Sequence, residues 1–291
     1  MASTIVRESQ SSQPLSEQRQ QAVRQFRMAI KGGLAGTPGR YAVRLLSILA
    51  GLLLWRYLTV HKTQFILRFA NVPTPMDVWT QLSTLIRSSD FYTNIAVSVR
   101  RVGISFGLAT MLGVPLGIAM GRFRFVKDIV EPYIEIVRPI PAVAWIPMAI
   151  IIWPTSEESI LFITFLGAFF PIVVNTVHGV DQTPEILVRA ARTLGARTRS
   201  VVWHVVLPAA LPSILSGLSI GMGVSWFSVL TAEMIGGQYG IGYFTWESYE
   251  LIRYPDIIIG MVVIGLLGTI STAMIRWLAR PFLRWLPRKA S

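Results

Sequence analysis

The chain has 291 residues, 52% of them hydrophobic and only 14% charged, with a mean hydropathy of +0.53. A soluble domain carries about 25% charged residues, so this composition excludes an ordinary soluble protein and points to a bundle whose exterior is lipid. The net charge of +12 suits either nucleic acid or Lys and Arg held on the cytoplasmic side of a membrane, while the lack of cysteine excludes disulfides and thiolate metal sites.

Residues 1–13 are rich in Ser and Gln and read as a tail. From Pro14 to Lys31, Val23, Phe26 and Ile30 share one face, with Arg19, Arg24, Arg27 and Lys31 elsewhere. This pattern fits either a basic amphipathic helix on an anionic leaflet or a weakly ordered tail. The first forty residues have no apolar run ending in small residues, so no cleavable signal peptide is expected. Residues 1–41 are taken as a cytoplasmic extension and 42–285 as one membrane domain.

Crossing a bilayer takes about 20 predominantly apolar residues. Six segments qualify, near 42–60, 102–121, 129–153, 160–180, 208–235 and 257–278. The third is interrupted by Glu131, Glu135, Arg138 and by Pro132, Pro139, Pro141 and Pro147. It reads as a broken helix, tolerated only where it is buried in protein or lines a wet cavity. Between the first two spans, Val72-Pro73-Thr74-Pro75 is a turn and Met76–Ile86 an amphipathic helix along the outer surface. With both termini inside, the inner segments carry twenty Lys and Arg and the outer ones six. That bias puts the termini in the cytoplasm and accounts for the basic charge without nucleic acid.

Gly113, Gly117 and Gly121 recur every four residues in the second span, after Gly103 and Gly107; Ser213, Gly217, Gly221 and Ser225 do so in the fifth. Small residues on one helix face let two backbones approach closely, so these stripes predict tight packing. Between the fourth and fifth spans, Thr183-Pro184-Glu185 has the pattern of a helix start, with Thr as N-cap. Ile186, Ala190 and Leu194 follow at spacing four, Ala191 widens that face, and Gly195 ends the helix. A second stretch, Arg199–Val206, leads into Leu207-Pro208. Residues 181–207 therefore form a helical hairpin projecting from the membrane, with a small apolar ridge. A DNA-binding helix-turn-helix is a poor alternative, because the hairpin is tethered between two spans.

Ionisable residues inside a membrane are functional candidates. Glu233, near Ser225 and Ser228 at the outer end of the fifth span, either shapes a solute path or forms a structural ion pair with Arg100 or Arg101. Arg138, before Pro139 and Pro141, either faces an anionic solute or anchors the chain at the inner leaflet. The chain has no G-x-x-x-x-G-K-[ST] loop, no evident Ser-His-Asp set and only three scattered histidines (His61, His178, His204). No catalytic, metal or cofactor site is therefore expected on it.

Residues 189–208 resemble the cytoplasmic "EAA" loop of ABC-importer permeases, whose pattern is Glu-Ala-Ala, three residues, Gly, nine residues, then Ile-x-Leu-Pro. Ala190, Ala191, Gly195, Leu207 and Pro208 match at the right spacing. Arg189 stands at the motif Glu and Val205 at the motif Ile, with Glu185 one turn earlier than Arg189. Arg138–Pro147, Phe169–Thr176, Ala232–Gly236 and Tyr239–Tyr243 resemble the nitrate/sulfonate/bicarbonate (taurine-type) permeases, over about residues 45–285. The resemblance implies an all-α, six-helix bundle of the type I importer kind with a cytoplasmic coupling helix. It further implies a second permease copy, cytoplasmic ATP-binding subunits holding ATP and Mg, and an external solute-binding protein. On this view Glu185, Arg189, Ala190, Ala191, Leu194, Gly195 and Pro208 serve ATPase coupling, and Arg138, Pro141, Ser225, Ser228 and Glu233 belong to the translocation path. The competing expectation is a secondary carrier or channel without an ATPase, which wants internal repeats or paired intramembrane charges.

Overall fold

The computed structural model describes residues 37–61 and 71–283, with side chains from Tyr41 onward. The expected helix over Pro14–Lys31 lies outside the described residues. The chain divides into two compact units at Pro75/Met76. The first contributes helix α1, Thr37–Val60, whose Leu-rich sequence is apolar enough to cross a membrane from Tyr41 to Val60.

The second unit begins with α2 (Pro75–Leu85) and α3 (Ser89–Arg122), followed by α4 (Arg124–Val137). A 3-10 turn, Ala142–Trp145, leads into α5 (Ile146–Ile152), and then come α6 (Ser156–Asp181), α7 (Glu185–Thr193) and α8 (Thr198–Val201). A π turn, Val202–Val206, joins α8 to α9 (Leu207–Gly236), with α10 (Ile241–Glu250) and α11 (Tyr254–Ala279) after it. No strand occurs among the described residues. Besides α1, the segments Ser89–Arg122, Ser156–Asp181, Thr198–Gly236 and Tyr254–Leu283 are long and apolar enough to span a bilayer. Taken together as one bent span, α4 and Ala142–Ile152 make a sixth, folded by 86° at its break. The proline-interrupted third segment is thus a broken helix. Pro139 and Pro141 supply no N–H to continue the ladder.

α6 is the axis of this unit, covered on one side by α3 and on another by α9. Both interfaces are set by missing side chains. A Cβ on Gly117 would lie 2.6 Å from Thr176 Cβ and 3.0 Å from the Val173 carbonyl, and one on Gly121 would lie 2.6 Å from Val180 Cβ. Across α9, a Cβ on Gly217 would come within 2.6 Å of Asn175 Cβ, and Ser213 Oγ donates to the Asn175 carbonyl at 2.8 Å. The two stripes therefore grip opposite sides of one helix. Gly103 and Gly107, by contrast, have nothing within 4 Å, so the expectation of tight packing holds only for the C-terminal half of the α3 stripe. α6 starts with a capping box, Thr155 Oγ1 accepting from the Glu158 N–H while the Glu158 carboxylate accepts from Thr155 N.

One boundary differs from the sequence expectation. α3 begins at Ser89 rather than near Val102, because Asn94, Ser98, Arg101 and Ser105 fall on one helix face and bury their polar groups against other elements. A polar stripe at helical spacing is as buriable as an apolar one when each group finds a partner.

Candidate functional site

Three regions hold the residues singled out by the sequence. The first is the hairpin at the C-terminal end of α6. Its helix begins at Glu185 with Pro184 at the cap position. Thr183 does not cap it, since its hydroxyl donates back to the Gly179 carbonyl at 3.4 Å. At the other end Gly195 takes φ +82°, the left-handed conformation that favours glycine. The Ala196 N–H bonds to the Ala191 carbonyl at 3.0 Å and the Gly195 N–H to the Arg192 carbonyl at 2.9 Å. This pair of bonds is a Schellman motif.

α7 has two apolar faces. Val188 and Ala191, with Ala196 beyond the turn, pack on a buried cluster of Val180, Val201, Val206, Ala210 and Ile214. Ala191 therefore lies under the helix, holding the hairpin together, and is not on the outer ridge that the spacing suggested. The outer face carries Ile186 (74% exposed), Leu187 and Leu194 (88% exposed), with Ala190 exposed among them. Glu185 and Arg189 pair with each other at 2.8 Å on the surface. Pro208 sits in the first turn of α9, just after the π turn, where the Leu207 N–H reaches back five residues to the Val202 carbonyl.

The second region is the break between α4 and α5. Arg138 is the C-cap of α4, and its guanidinium makes no ion pair or side-chain hydrogen bond among the described residues. It lines, with Pro141, a cavity of about 300 Å³ whose wall includes Ala142, Trp145, Phe170 and Asn175. The irregular backbone thus borders a cavity, as such backbone must.

The third region lies at the opposite, N-terminal, end of α6. Glu233 is 1% exposed, and its carboxylate accepts from Ser98 Oγ at 2.8 Å, Arg101 Nη1 at 3.0 Å and the Gly242 N–H at 2.9 Å. Arg101, 4% exposed, also donates to the Tyr239 carbonyl at 2.7 Å and to Glu157 Oε2 through Nε at 2.9 Å. Arg100 closes the group on Glu157 Oε1 at 2.7 Å. Gly240, at φ +118°, bends the chain onto Glu233, where a Cβ would overlap the carboxylate. The N–H of Gly240 donates to Asn94 Oδ1 at 2.8 Å. The Tyr239-Gly-Ile-Gly-Tyr243 signature is accordingly a loop fitted over a buried ion pair.

Ser225 is fully buried and donates to the Gly221 carbonyl at 2.9 Å, and Ser228 is fully buried against Gly167. Ser225, Ser228 and Glu233 do not line the cavity at Arg138 and Pro141, so the five path candidates do not form one site. Sequence reasoning overlooked Glu157, Ser98 and Asn94. The polar stripe Asn94-Ser98-Arg101-Ser105, at spacings of three and four, is the signal that could have found two of them.

The family of binding-protein-dependent transport system inner membrane components matches residues 113–286. The nitrate import permease protein of Synechocystis is 34% identical over 72% of this chain and 79% of its own length. The taurine transport system permease protein of Escherichia coli is 32% identical over 74% and 80% of the two chains. The bicarbonate transport system permease protein of Synechococcus elongatus is 35% identical over 67% and 70%. With its α6-centred bundle and the hairpin between α6 and α9, the chain belongs to the binding-protein-dependent inner-membrane permeases and is a permease subunit of an ABC importer.

Proposed function

We propose that this chain forms half of the path for a small oxyanion, pairing with a second copy and driven by ATP hydrolysed on two cytoplasmic partner subunits. An external binding protein delivers the solute. The observation that carries the reading is the outer face of α7. Ile186, Leu187 and Leu194 stay uncovered on a helix already fastened through its other face. Exposed apolar clusters of this kind mark docking surfaces. Charge counting supports a cytoplasmic position for the hairpin and both termini. The three relatives are named for nitrate, taurine and bicarbonate, each of which carries or is an oxyanion.

The mechanism is alternating access. Nucleotide binding draws the ATPase subunits together, α7 moves with the groove that holds it, and the bundle opens outward to receive solute. Such coupling requires that α7 bind the two ATPase states with different free energies. Glu185, Arg189, Ala190 and Leu194 contact the partner, whereas Ala191, Gly195 and Pro208 shape the hairpin. Arg138 and Pro141 border the path, and Glu233 braces the far end.

The test is co-purification with the ATPase, followed by transport in proteoliposomes. Ile186→Asp and Leu194→Asp should lose the ATPase and abolish uptake while the permease stays in the membrane and folded. Uptake by this polypeptide alone, in vesicles without ATP, would overturn the proposal.

A further inference from the structure

The segment from α8 through the π turn has two faces. Val201 and Val206 are buried, and Val205 packs beside them in the cluster on which α7 rests. Helical spacing then turns Arg197, Ser200 and His204, and with them Arg199 and Trp203, to the other side. These five exposed residues line an open hollow of about 450 Å³ that no acidic side chain borders. Arg197 and Arg199 make no ion pair or side-chain hydrogen bond among the described residues. Other basic groups near this end of α6 are matched, Lys127 bonding Asp181 at 3.1 Å and Arg189 pairing with Glu185. His204 donates from Nδ1 to the Ser200 carbonyl at 3.0 Å, which holds the ring and leaves Nε2 without a partner among the described residues.

The helix that follows fixes the depth of this hollow. Thr198–Gly236 is a helical run of 39 residues, whereas about 20 suffice to cross the hydrocarbon. Its charged side chains are Arg199 and Glu233, and from 205 to 232 every residue is uncharged. The hydrocarbon therefore lies within 205–232, and the hollow sits just past its edge, at the level of the headgroups. Trp203, 58% exposed, suits that level, where an amphipathic ring meets both phases. Two guanidinium forks match phosphate oxygens, and unlike a point charge they can do so with paired hydrogen bonds. The volume equals the liquid share of about fifteen waters, more than a bare phosphate fills and enough for a phosphate with its glycerol.

We propose that this hollow binds the headgroup of an anionic phospholipid, its phosphate on Arg197 and Arg199 and its glycerol backbone against Trp203. The bound lipid would tie the base of the hairpin to the membrane face, away from both the outer face of α7 and the cavity at Arg138. The proposal rests on the importer reading in one respect, that the hairpin adjoins a leaflet containing anionic lipid.

The test titrates the delipidated permease–ATPase complex in detergent with short-chain phosphatidylglycerol, short-chain phosphatidylcholine and glycerol phosphate, read by calorimetry and native mass spectrometry. Phosphatidylglycerol should bind saturably and at least tenfold more tightly than phosphatidylcholine. Each basic side chain near anionic headgroups is worth about fivefold in affinity, so Arg197→Gln with Arg199→Gln should weaken phosphatidylglycerol roughly twentyfold. Lysine at both positions should recover part of the loss, and Trp203→Ala should weaken both lipids several-fold. Arg192→Gln is the control, an exposed arginine of α7 that does not line the hollow, and should leave binding unchanged. Equal binding of the two phospholipids, or an equal loss in Arg192→Gln, would reduce the site to diffuse charge and overturn it. Glycerol phosphate binding as tightly as phosphatidylglycerol would overturn the lipid assignment. A double arginine variant that sheds the ATPase yet keeps its lipid would give this face to the partner protein instead. Failure of the importer reading would show itself separately, as ATP-independent uptake.

Discussion

Replacing Gly117 with Ala probes a close contact between α3 and α6. The added methyl would sit 2.6 Å from Thr176 Cβ, 2.8 Å from its Cγ2 and 3.0 Å from the Val173 carbonyl oxygen. Carbon atoms rest about 3.5–4.0 Å apart, so α3 and α6 must separate by roughly 1 Å at this point. Rotating Thr176 does not help. Its Cβ is fixed by the backbone, and its hydroxyl is held on the Ile172 carbonyl at 2.7 Å. Overpacking of this sort costs about 1–3 kcal/mol. Gly217→Ala should behave alike, meeting Asn175 Cβ at 2.6 Å and the Pro171 carbonyl at 3.1 Å on the other side of α6. Gly107→Ala is the control, with nothing within 4 Å and about 1 kcal/mol of helix propensity to gain. Melting midpoints of the purified protein in detergent should fall for Gly117→Ala and Gly217→Ala and hold or rise for Gly107→Ala. If all three variants melt together, glycine does not set the helix spacing and the packing argument is wrong.

The ion pair at the other end gives a second contrast. Glu233→Ala strips one partner from a buried Arg101, and breaking such a pair costs about 3–5 kcal/mol; Glu157 stays on Arg101 and should hold the loss to the low end. Equal expression and melting of the variant and the parent would contradict this. Gly240→Ala should be as harmful although it removes no charge, because its Cβ overlaps Glu233; purification of a stable Gly240→Ala protein would count against the fitted-loop reading. Thr155→Ala removes the cap of α6 and should cost about 1 kcal/mol, read as a small drop in melting midpoint with transport unaffected. On the hairpin, Ala191→Leu should unfold α7 locally, detected by protease nicking near Gly195, whereas Ile186→Asp should leave the cleavage pattern unchanged. Matching patterns would mean that the two faces of α7 are not distinct.

The sequence made periodicity legible and left neighbours hidden. Proline density located the break at 138–141, hydropathy located the long helices, and spacing of four picked out both glycine stripes. The same spacing could not tell that Gly113, Gly117 and Gly121 meet α6 while Gly103 and Gly107 meet nothing, because a stripe defines a face and not what covers it. Arg100 and Arg101 show the cost of reading polarity as exposure. The sequence sets them at the end of a span, yet Arg101 is buried inside α3. There it makes the ion pair with Glu233, 132 residues away, that is one of the two expected readings, and Glu157, 56 residues away, joins it. Ala191 failed in the opposite direction, since a methyl group suits an inner face and an outer one equally. Thr183 had the composition of a cap, but the turn after α6 sends its hydroxyl to Gly179 instead.

What these contacts assemble is a path for force. α6 is capped at Thr155 and tied through Glu157 to Arg101 of α3 at one end, and at the other it runs through three residues into α7. α7 in turn rests on Val201 of α8, Val206 of the π turn, and Ala210 and Ile214 near the start of α9. α3, α6 and α9 meet at backbone distance, and a close-packed interface shifts as a body before it deforms. A displacement imposed on α7 therefore reaches α6 and α9 together. The more compliant points are those where the helical ladder is already broken, the π turn at Val202–Val206 and the 86° bend beside Arg138. The bend borders the cavity. On the proposed function, motion gripped at the hairpin would be delivered through these helices to the cavity beside Arg138, and a change in that cavity's width is what alternate access to its contents would require.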